Sequence, residues 1–163
     1  MDEVCAYALA LNKNGVRQMK FIEQTRDLFQ VSEEYVKAQC ISADAEMGMG
    51  IAVTFVQQYP GIREFCKTRN EEVNNQIGDV ILFGNVYNLV TKKYFNNRPS
   101  HHALKLALVN LREAMIKRKQ YKLAIPQLGC GHDHLVWSTV KSMIMEVFRH
   151  TDIEIIACIY FRK

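Results

Sequence analysis

The sequence is short of the features that build metal centres, disulfide frameworks and membrane spans. Its five cysteines are an odd number without a CxxC pair, so neither a disulfide scaffold nor a zinc site is indicated. The apolar stretch at 4–11 is too short to cross a bilayer, and the acidic start Met1-Asp2-Glu3 is unlike a signal peptide. We therefore expect a protein of the nucleus or cytoplasm without membrane attachment.

Two nucleotide-binding fingerprints are also missing. The chain has no GxxxxGK[ST], which argues against a P-loop phosphotransferase, and no GxGxxG after the first strand, which argues against a dinucleotide oxidoreductase. The net charge is +4, and the densest basic run, Lys117-Arg118-Lys119, falls at the predicted end of a helix, where it suits the helix dipole. This charge suits an anionic ligand but lacks the dense basic stripe of a nucleic-acid binder.

The composition is that of one ordinary globular domain. The chain has 163 residues, of which 48% are apolar and 23% charged, and it contains no repeat or flexible linker. We assign residues 1–18 to an N-terminal extension or added edge strand and residues 19–163 to a single domain.

Strand and helix patterns alternate along that domain. Strands are predicted at 19–23, 36–41, 79–83, 86–91, 123–125 and 153–160, and helices at 50–58, 104–115 and 140–148. Ser100 and Ser138 are the predicted N-caps of the last two helices, and Gly84-Asn85 predicts a hairpin. The pattern predicts an α/β fold with a mixed sheet covered on both faces.

Half of the eight glycines lie in two tight pairs. Gly48-Met49-Gly50 and Gly129-Cys130-Gly131 each follow a predicted strand and precede a helix. Backbone N–H groups in such loops favour an anion, and two loops facing one crevice can clasp a diphosphate. Each pair alone also fits a turn that needs positive φ. The residues themselves thus indicate an α/β domain that binds a phosphorylated small molecule.

Five segments carry a combined signature in their order and spacing: 26–29, 40–52, 89–93, 129–133 and 135–137. Together they resemble the macrodomain family, and within it the terminal ADP-ribose protein glycohydrolases. The likeness runs from about Met19 to Ile159. It implies a three-layer α/β/α sandwich with a central mixed sheet.

The resemblance also implies an activity. Such enzymes bind ADP-ribose and remove it from Glu or Asp of mono-ADP-ribosylated proteins, and they also deacylate O-acyl-ADP-ribose, without a cofactor or metal. The matching catalytic pair is Lys92, which attacks the anomeric carbon, and Asp133, which handles the proton. Asp27 matches the residue that recognises the adenine amino group. The full ligand-binding set implied is Asp27, Leu28, Ser42, Met47, Gly48, Met49, Gly50, Ile51, Leu128, Gly129, Cys130, Gly131 and His132.

The implied chemistry suits these residue types. A neutral amine can displace a carboxylate at an anomeric centre, and a neighbouring base or desolvation supplies the neutral form. Successive strand residues point to opposite faces, so Lys92 and Lys93 cannot both reach the cleft. The family match selects Lys92.

Plainer interpretations exist for the same residues. Lys92 also fits a solvated strand end, Asp27 a turn aspartate and Asp133 a helix N-cap, although Ser138 suits that cap better. His132 and His134 lack a third metal ligand at a plausible spacing.

Three further features bear on the site. Cys130 lacks a recognisable histidine partner, which argues against a thiol nucleophile. Trp137 is expected to pack beside the cleft. Arg26 and Met49 depart from the family pattern, as does the tail at 161–163, which puts affinity and substrate preference in question.

Two other functions remain open. A non-catalytic reader of ADP-ribosylated proteins or poly(ADP-ribose) would use the same glycine loops, and a hydrolase acting on ADP-ribosylated nucleic acid would use the same catalytic pair. In each case we expect a monomer.

Overall fold

The computed structural model describes residues 18–160. Nearly all of the predicted N-terminal extension, together with the tail at 161–163, lies outside this range. The expectations about those segments therefore stay predictions.

One mixed sheet organises the described residues. Its strands are β1 (Lys20–Thr25), β2 (Val36–Ser42), β3 (Val80–Phe83), β4 (Val86–Lys92), β5 (Lys122–Ile125) and β6 (Glu154–Ile159). Their spatial order is β1-β6-β5-β2-β4-β3. All neighbouring pairs are parallel except β3–β4, the hairpin predicted at Gly84-Asn85. The predicted mixed sheet is confirmed.

Helices cover both faces of the sheet. They are α1 (Ile51–Gln58), α2 (Ile62–Val73), α3 (His101–Lys117) and α4 (Trp137–Phe148). The helices α3 and α4 share one apolar core with the sheet, and α1 and α2 share the other. The three layers match the predicted α/β/α sandwich. No helix among residues 18–160 has the length and apolar content needed to span a membrane.

The sequence dictates both layers through its apolar spacing. In β6, Ile155 and Ala157 face one core while Ile156 and Cys158 face the other, so the strand is apolar on both sides. In α3 the apolar residues at helical spacing are buried, namely Leu104, Ala107, Leu108, Leu111 and Met115. The hydroxyl of Ser100 accepts a hydrogen bond from the N–H of Ala103, so Ser100 is the predicted N-cap.

Two details of the helices differ from the prediction. The helix α2 was not predicted, because its sequence is polar and buries only Ile62 and Cys66. The predicted cap at Ser138 is wrong: α4 begins at Trp137, and Val136 occupies the cap position without a side-chain hydrogen bond. The backbone N–H of Val140 instead bonds to the carbonyl of Val136, so the cap lies two residues before the predicted one.

Candidate active site

Four loops meet at the carboxyl ends of the parallel strands. They follow β1, β2, β4 and β5, and the two glycine pairs lie in the second and fourth of these loops. Because neighbouring parallel strands end at the same edge of a sheet, segments distant in sequence come together there. This edge holds two adjoining cavities.

Lys92 reaches the edge from the end of β4. The register of β4 against β2 shifts there, so that Val90 pairs with Ile41 but Lys92 pairs with Ser42, and Thr91 is the extra residue. Such a bulge re-aims side chains. Lys92 is 6% exposed, whereas Lys93 is exposed and lies over the ring of Tyr94. Of these two lysines, Lys92 is the one buried at this edge, and its role in the chemistry stays a prediction.

Lys92 forms a short ion pair with Asp133. Its Nζ donates to Oδ1 of Asp133 at 2.7 Å, and the two side chains are 7% and 13% exposed. A charge-assisted hydrogen bond in such a dry site is stronger than one in water. It also gives a direct path for a proton from the ammonium group to the carboxylate, which would leave a neutral amine.

The loop that carries Asp133 is held by its own backbone. The N–H of His134 bonds to the carbonyl of Gly131 at 3.1 Å, and that of Leu135 bonds to the carbonyl of Gly129 at 2.8 Å. Gly129 has a φ of +71°, and His134 has a φ of +60°, which is uncommon for a residue with a side chain. A strained backbone conformation persists only where the surrounding structure holds it, and such conformations are concentrated at functional sites.

The first cavity surrounds the ion pair. Its volume is about 90 Å³. It is lined by Cys40, Ile41, Ser42, Met47, Gly48, Met49, Ile51, Ala52, Lys92, Phe95, Gly129, Gly131, His132 and Asp133. Both glycine loops therefore form its walls, and the Lys92–Asp133 pair lies between them.

The second cavity adjoins the first and shares Ile51 and Gly131 with it. Its volume of about 570 Å³ is in the range of small-molecule sites. It is lined by Arg26, Asp27, Leu28, Phe29, Gln30, Gly50, Ile51, Thr54, Gln58, Pro126, Gln127, Cys130, Gly131, Cys158 and Tyr160.

Asp27 stands at the start of a single 3₁₀ turn, Leu28–Gln30. One of its carboxylate oxygens accepts from the N–H of Phe29 at 2.9 Å, and the residue is exposed on the cavity wall. Asp27 can therefore cap this turn and still face a ligand in the cavity. Arg26, beside it, lines the same cavity.

Almost all of the expected ligand-binding residues line one cavity or the other. Leu128 lines neither cavity: the residue is 1% exposed and belongs to the core with α3 and α4, and its contact with the ligand stays a prediction. The chain turns at Gly129, so the residue before it points inward. Trp137 lines neither cavity; it packs on that core, and its Nε1 donates to Glu23 at 2.9 Å, as a packing residue would.

Several residues that line the cavities were not predicted from the sequence. Phe95, three positions after Lys92, carried no motif of its own. Thr54 and Gln58 lie at i and i+4 on α1 and therefore share its cavity-facing side. The helical spacing from Gly50 was a usable signal for these two.

The thiols near the site are protonated at neutral pH. Burial raises the pKa of Cys130 to about 11, and burial, reinforced by the nearby Asp133 carboxylate, raises the pKa of Cys40 further. A thiol held in this form is a poor nucleophile. Among residues 18–160, no group of three or more His, Cys, Asp or Glu side chains is arranged to hold a metal ion.

Comparison with solved structures identifies the fold. The macrodomain of DarG from Thermus aquaticus superposes with a TM-score of 0.75 at 21% identity, over 86% of this chain and 97% of that one. DarTG from Thermosipho africanus, solved in complex with ADP-ribose, gives a TM-score of 0.76 at 18% identity, over 86% of this chain and 41% of that one. The fold is that of a macrodomain.

Comparison of sequences gives the family. No family model matches the chain. The human protein named ADP-ribose glycohydrolase OARD1 is 35% identical over 133 residues, which cover 79% of this chain and 84% of the human protein. The chain therefore belongs to the macrodomain family, in the group of the ADP-ribose glycohydrolases.

Proposed function

We propose that this protein binds ADP-ribose across the two cavities and hydrolyses its bond to glutamate or aspartate side chains, with Lys92 as nucleophile and Asp133 as proton carrier. The same chemistry extends to O-acyl-ADP-ribose, which presents an ester at the same sugar. Two comparisons support this proposal. The human relative is named an ADP-ribose glycohydrolase, which supports the reaction, and DarTG was solved in complex with ADP-ribose, which supports the ligand.

The shape of the site supports the binding mode. The wide cavity beside Asp27 has room for adenosine, and the narrow one around Lys92 suits the distal ribose. The glycine loops flank the passage between them, where Gly131 lines both cavities. Their backbone N–H groups would face the diphosphate, and glycine lets the ligand approach closely.

The single observation that carries the mechanism is the 2.7 Å contact between Lys92 and Asp133. Transfer of one proton from the ammonium group to the carboxylate gives a neutral amine without any external base. Nζ then bonds to the anomeric carbon while the bond from that carbon to the ester oxygen breaks. Asp133 returns its proton to the departing carboxylate.

Hydrolysis of the intermediate completes the cycle. Water attacks the anomeric carbon, the bond from that carbon to Nζ breaks, and Asp133 takes the proton of the water and passes it to Nζ. The net reaction consumes one water and releases ADP-ribose and the free carboxylic acid. Both residues return to the paired state seen in the structure.

The test measures ADP-ribose release from a protein mono-ADP-ribosylated on glutamate. We expect release by the unaltered protein and a loss of roughly 10²- to 10⁴-fold in Asp133→Asn and Asp133→Ala, the range for removal of a general acid–base. Asp133→Asn keeps the shape of the side chain. Lys93→Ala, an exposed lysine next to the site, is the matched control and should retain the rate.

Binding of ADP-ribose is measured on the same variants by calorimetry. Release by Asp133→Asn at the unaltered rate would contradict the mechanism. Tight binding without release by the unaltered protein would make it a reader of ADP-ribosylation, and release from ADP-ribosylated nucleic acid alone would change the substrate.

A further inference from the structure

We propose that Phe95 and His132 form an aromatic wall that closes the Lys92 end of the cleft and positions the distal ribose against the nucleophile. This inference rests on the proposed function for its ligand. It assigns a role to Phe95, which sequence analysis did not identify, and to the ring of His132.

Phe95 lies close to both sides of the cleft. Its ring stacks on that of His132, with centroids 5.8 Å apart and planes inclined by 20°. On the opposite side, a Cβ added to Gly48 would lie 4.0 Å from Cζ of Phe95. The Phe95 side chain therefore lies between the two glycine loops. The rings of Phe95 and His132 both line the first cavity.

The same ring covers the nucleophile. The Nζ of Lys92 lies 5.7 Å from the centroid of Phe95, within the range of a cation–π contact. Asp133 contacts the same Nζ at 2.7 Å. Because the Phe95 ring and the Asp133 carboxylate cover two sides of Nζ, the substrate reaches this atom from the side that faces the cavity. Exclusion of water there strengthens the electrostatic interactions of the ion pair.

Each half of the wall is held in place by hydrogen bonds, Phe95 from the loop after β2 and His132 within its own turn. The backbone N–H of Phe95 donates to Oδ2 of Asp44 at 3.1 Å, and the other carboxylate oxygen of Asp44 accepts from the hydroxyl of Ser42. His132 lies in the strained turn closed by the bond from His134 to Gly131. A wall anchored at both ends can hold a sugar in place, and misplacement of a reacting group by about 1 Å can cost roughly 10²-fold in rate.

The test compares two ligands that differ by the distal ribose. ADP-ribose and ADP are titrated by calorimetry into the unaltered protein and into Phe95→Ala, His132→Ala and His132→Phe. The wall predicts that both alanine variants lose about 3- to 10-fold in affinity for ADP-ribose, the range for one aromatic contact, while ADP binds unchanged. His132→Phe keeps a stacked ring and should retain the affinity.

Tyr94→Ala is the matched control, because Tyr94 is adjacent but 52% exposed and lies under Lys93 instead of Lys92. It should leave both affinities unchanged. Equal losses for ADP and ADP-ribose in Phe95→Ala would overturn the wall and point to distortion of the first glycine loop through Asp44. Loss in His132→Phe as large as in His132→Ala would also overturn it, because a ring nitrogen would then be responsible.

This measurement separates the two proposals. Affinities are measured without turnover. A protein that binds ADP-ribose but never releases it from glutamate would contradict the proposed hydrolase activity, and its affinities would still test the aromatic wall. Failure of the unaltered protein to bind ADP-ribose would overturn both. With an active enzyme, Phe95→Ala should lower kcat by roughly 10²-fold and Tyr94→Ala should not.

Discussion

Lys92 and Asp133 are 41 residues apart in sequence, yet their charged groups lie 2.7 Å from each other with little access to water. One residue ends β4 and the other follows β5, and β2 lies between these strands in the sheet. Parallel pairing of all three strands brings the two loops to one edge. The ion pair is thus a product of strand order.

Replacement of Lys92 by alanine should separate chemistry from binding. We expect Lys92→Ala to reduce ADP-ribose release by at least about 10³-fold, since loss of a nucleophile leaves no covalent route. Affinity for ADP-ribose should fall by less than about tenfold, because the contacts proposed for the phosphates and the adenine lie elsewhere. Single-turnover release and calorimetry give the two quantities.

The ion pair complicates this variant, because removal of Lys92 leaves a largely buried carboxylate without its partner. A melting temperature close to that of Lys93→Ala would show that the variant is folded. If folded Lys92→Ala lost binding and release together, the lysine would be structural and the nucleophile assignment would fail.

A side chain at Gly131 should block the cleft. A Cβ built at this position meets no atom within 4 Å, and its φ is not in the left-handed region. Gly131→Val should therefore fold normally while its branched side chain enters the space shared by both cavities. We expect loss of ADP-ribose binding by calorimetry with an unchanged melting temperature.

Gly129→Val is the informative contrast. Gly129 has a φ of +71°, and an added Cβ would lie 2.8 Å from Cδ1 of Leu135. This variant should be destabilised by about 1–3 kcal/mol through backbone strain alone. Unaltered affinity in Gly131→Val would remove the second glycine loop from the ligand site.

Asn75 should matter for stability although it lies outside both cavities. It is 3% exposed, and its Nδ2 donates to the carbonyls of Ala43 at 3.0 Å and Cys66 at 3.1 Å. Asn75→Leu removes the donor to the carbonyl of Ala43, at a cost of about 1–3 kcal/mol, whereas the carbonyl of Cys66 keeps its hydrogen bond within α2. Urea denaturation should show this loss, whereas Gln76→Ala, at an exposed neighbour, should change the stability by less than about 0.5 kcal/mol.

Alkaline pH should destabilise the protein. Burial raises the pKa of Cys66, Cys130 and Cys158 to about 11 each, above the value of about 8.5 for an exposed thiol. Between these values the folded state binds more protons than the unfolded state, so the free energy of unfolding falls as pH rises from about 8.5 to 11. Below that window the contribution is fully present.

Urea denaturation at pH 8 and pH 10.5 measures this slope. Cys66→Ala removes one buried thiol and should make the decline shallower, even though the variant is less stable at both values. An identical decline in the variant and the unaltered protein would assign the effect to other groups.

Much of the fold follows from local pattern. Alternating apolar residues, the Gly84-Asn85 turn and the cap at Ser100 predicted the strands, the hairpin and α3, because each depends on neighbours in the chain. The helix α2 escaped prediction because it buries a narrow stripe, Ile62 and Cys66, and is polar elsewhere. The supposed cap at Ser138 failed because the backbone of Val136 begins α4 earlier.

The candidate site was also predicted only in part. The two glycine pairs were found in the sequence because motif and spacing are local properties, whereas Lys92 and Asp133 were assigned through the resemblance to the macrodomain family. Strand alternation predicted opposite directions for Lys92 and Lys93, but β4 ends at Lys92 with a shift in register, so the bulge and the bend after it set these directions. Phe95 could not be found, because it comes beside Gly48 and stacks on His132 only after the chain has folded.

The sequence by itself determined the layers, the apolar cores and the loops that carry polar chemistry. The tertiary structure alone decided which loops meet, that Leu128 turns into the core, and that an aromatic ring lies over the buried lysine. Hydrophobic periodicity specifies which face of each element is buried. The order of strands in the sheet, set by packing of the whole chain, specifies which side chains share an edge.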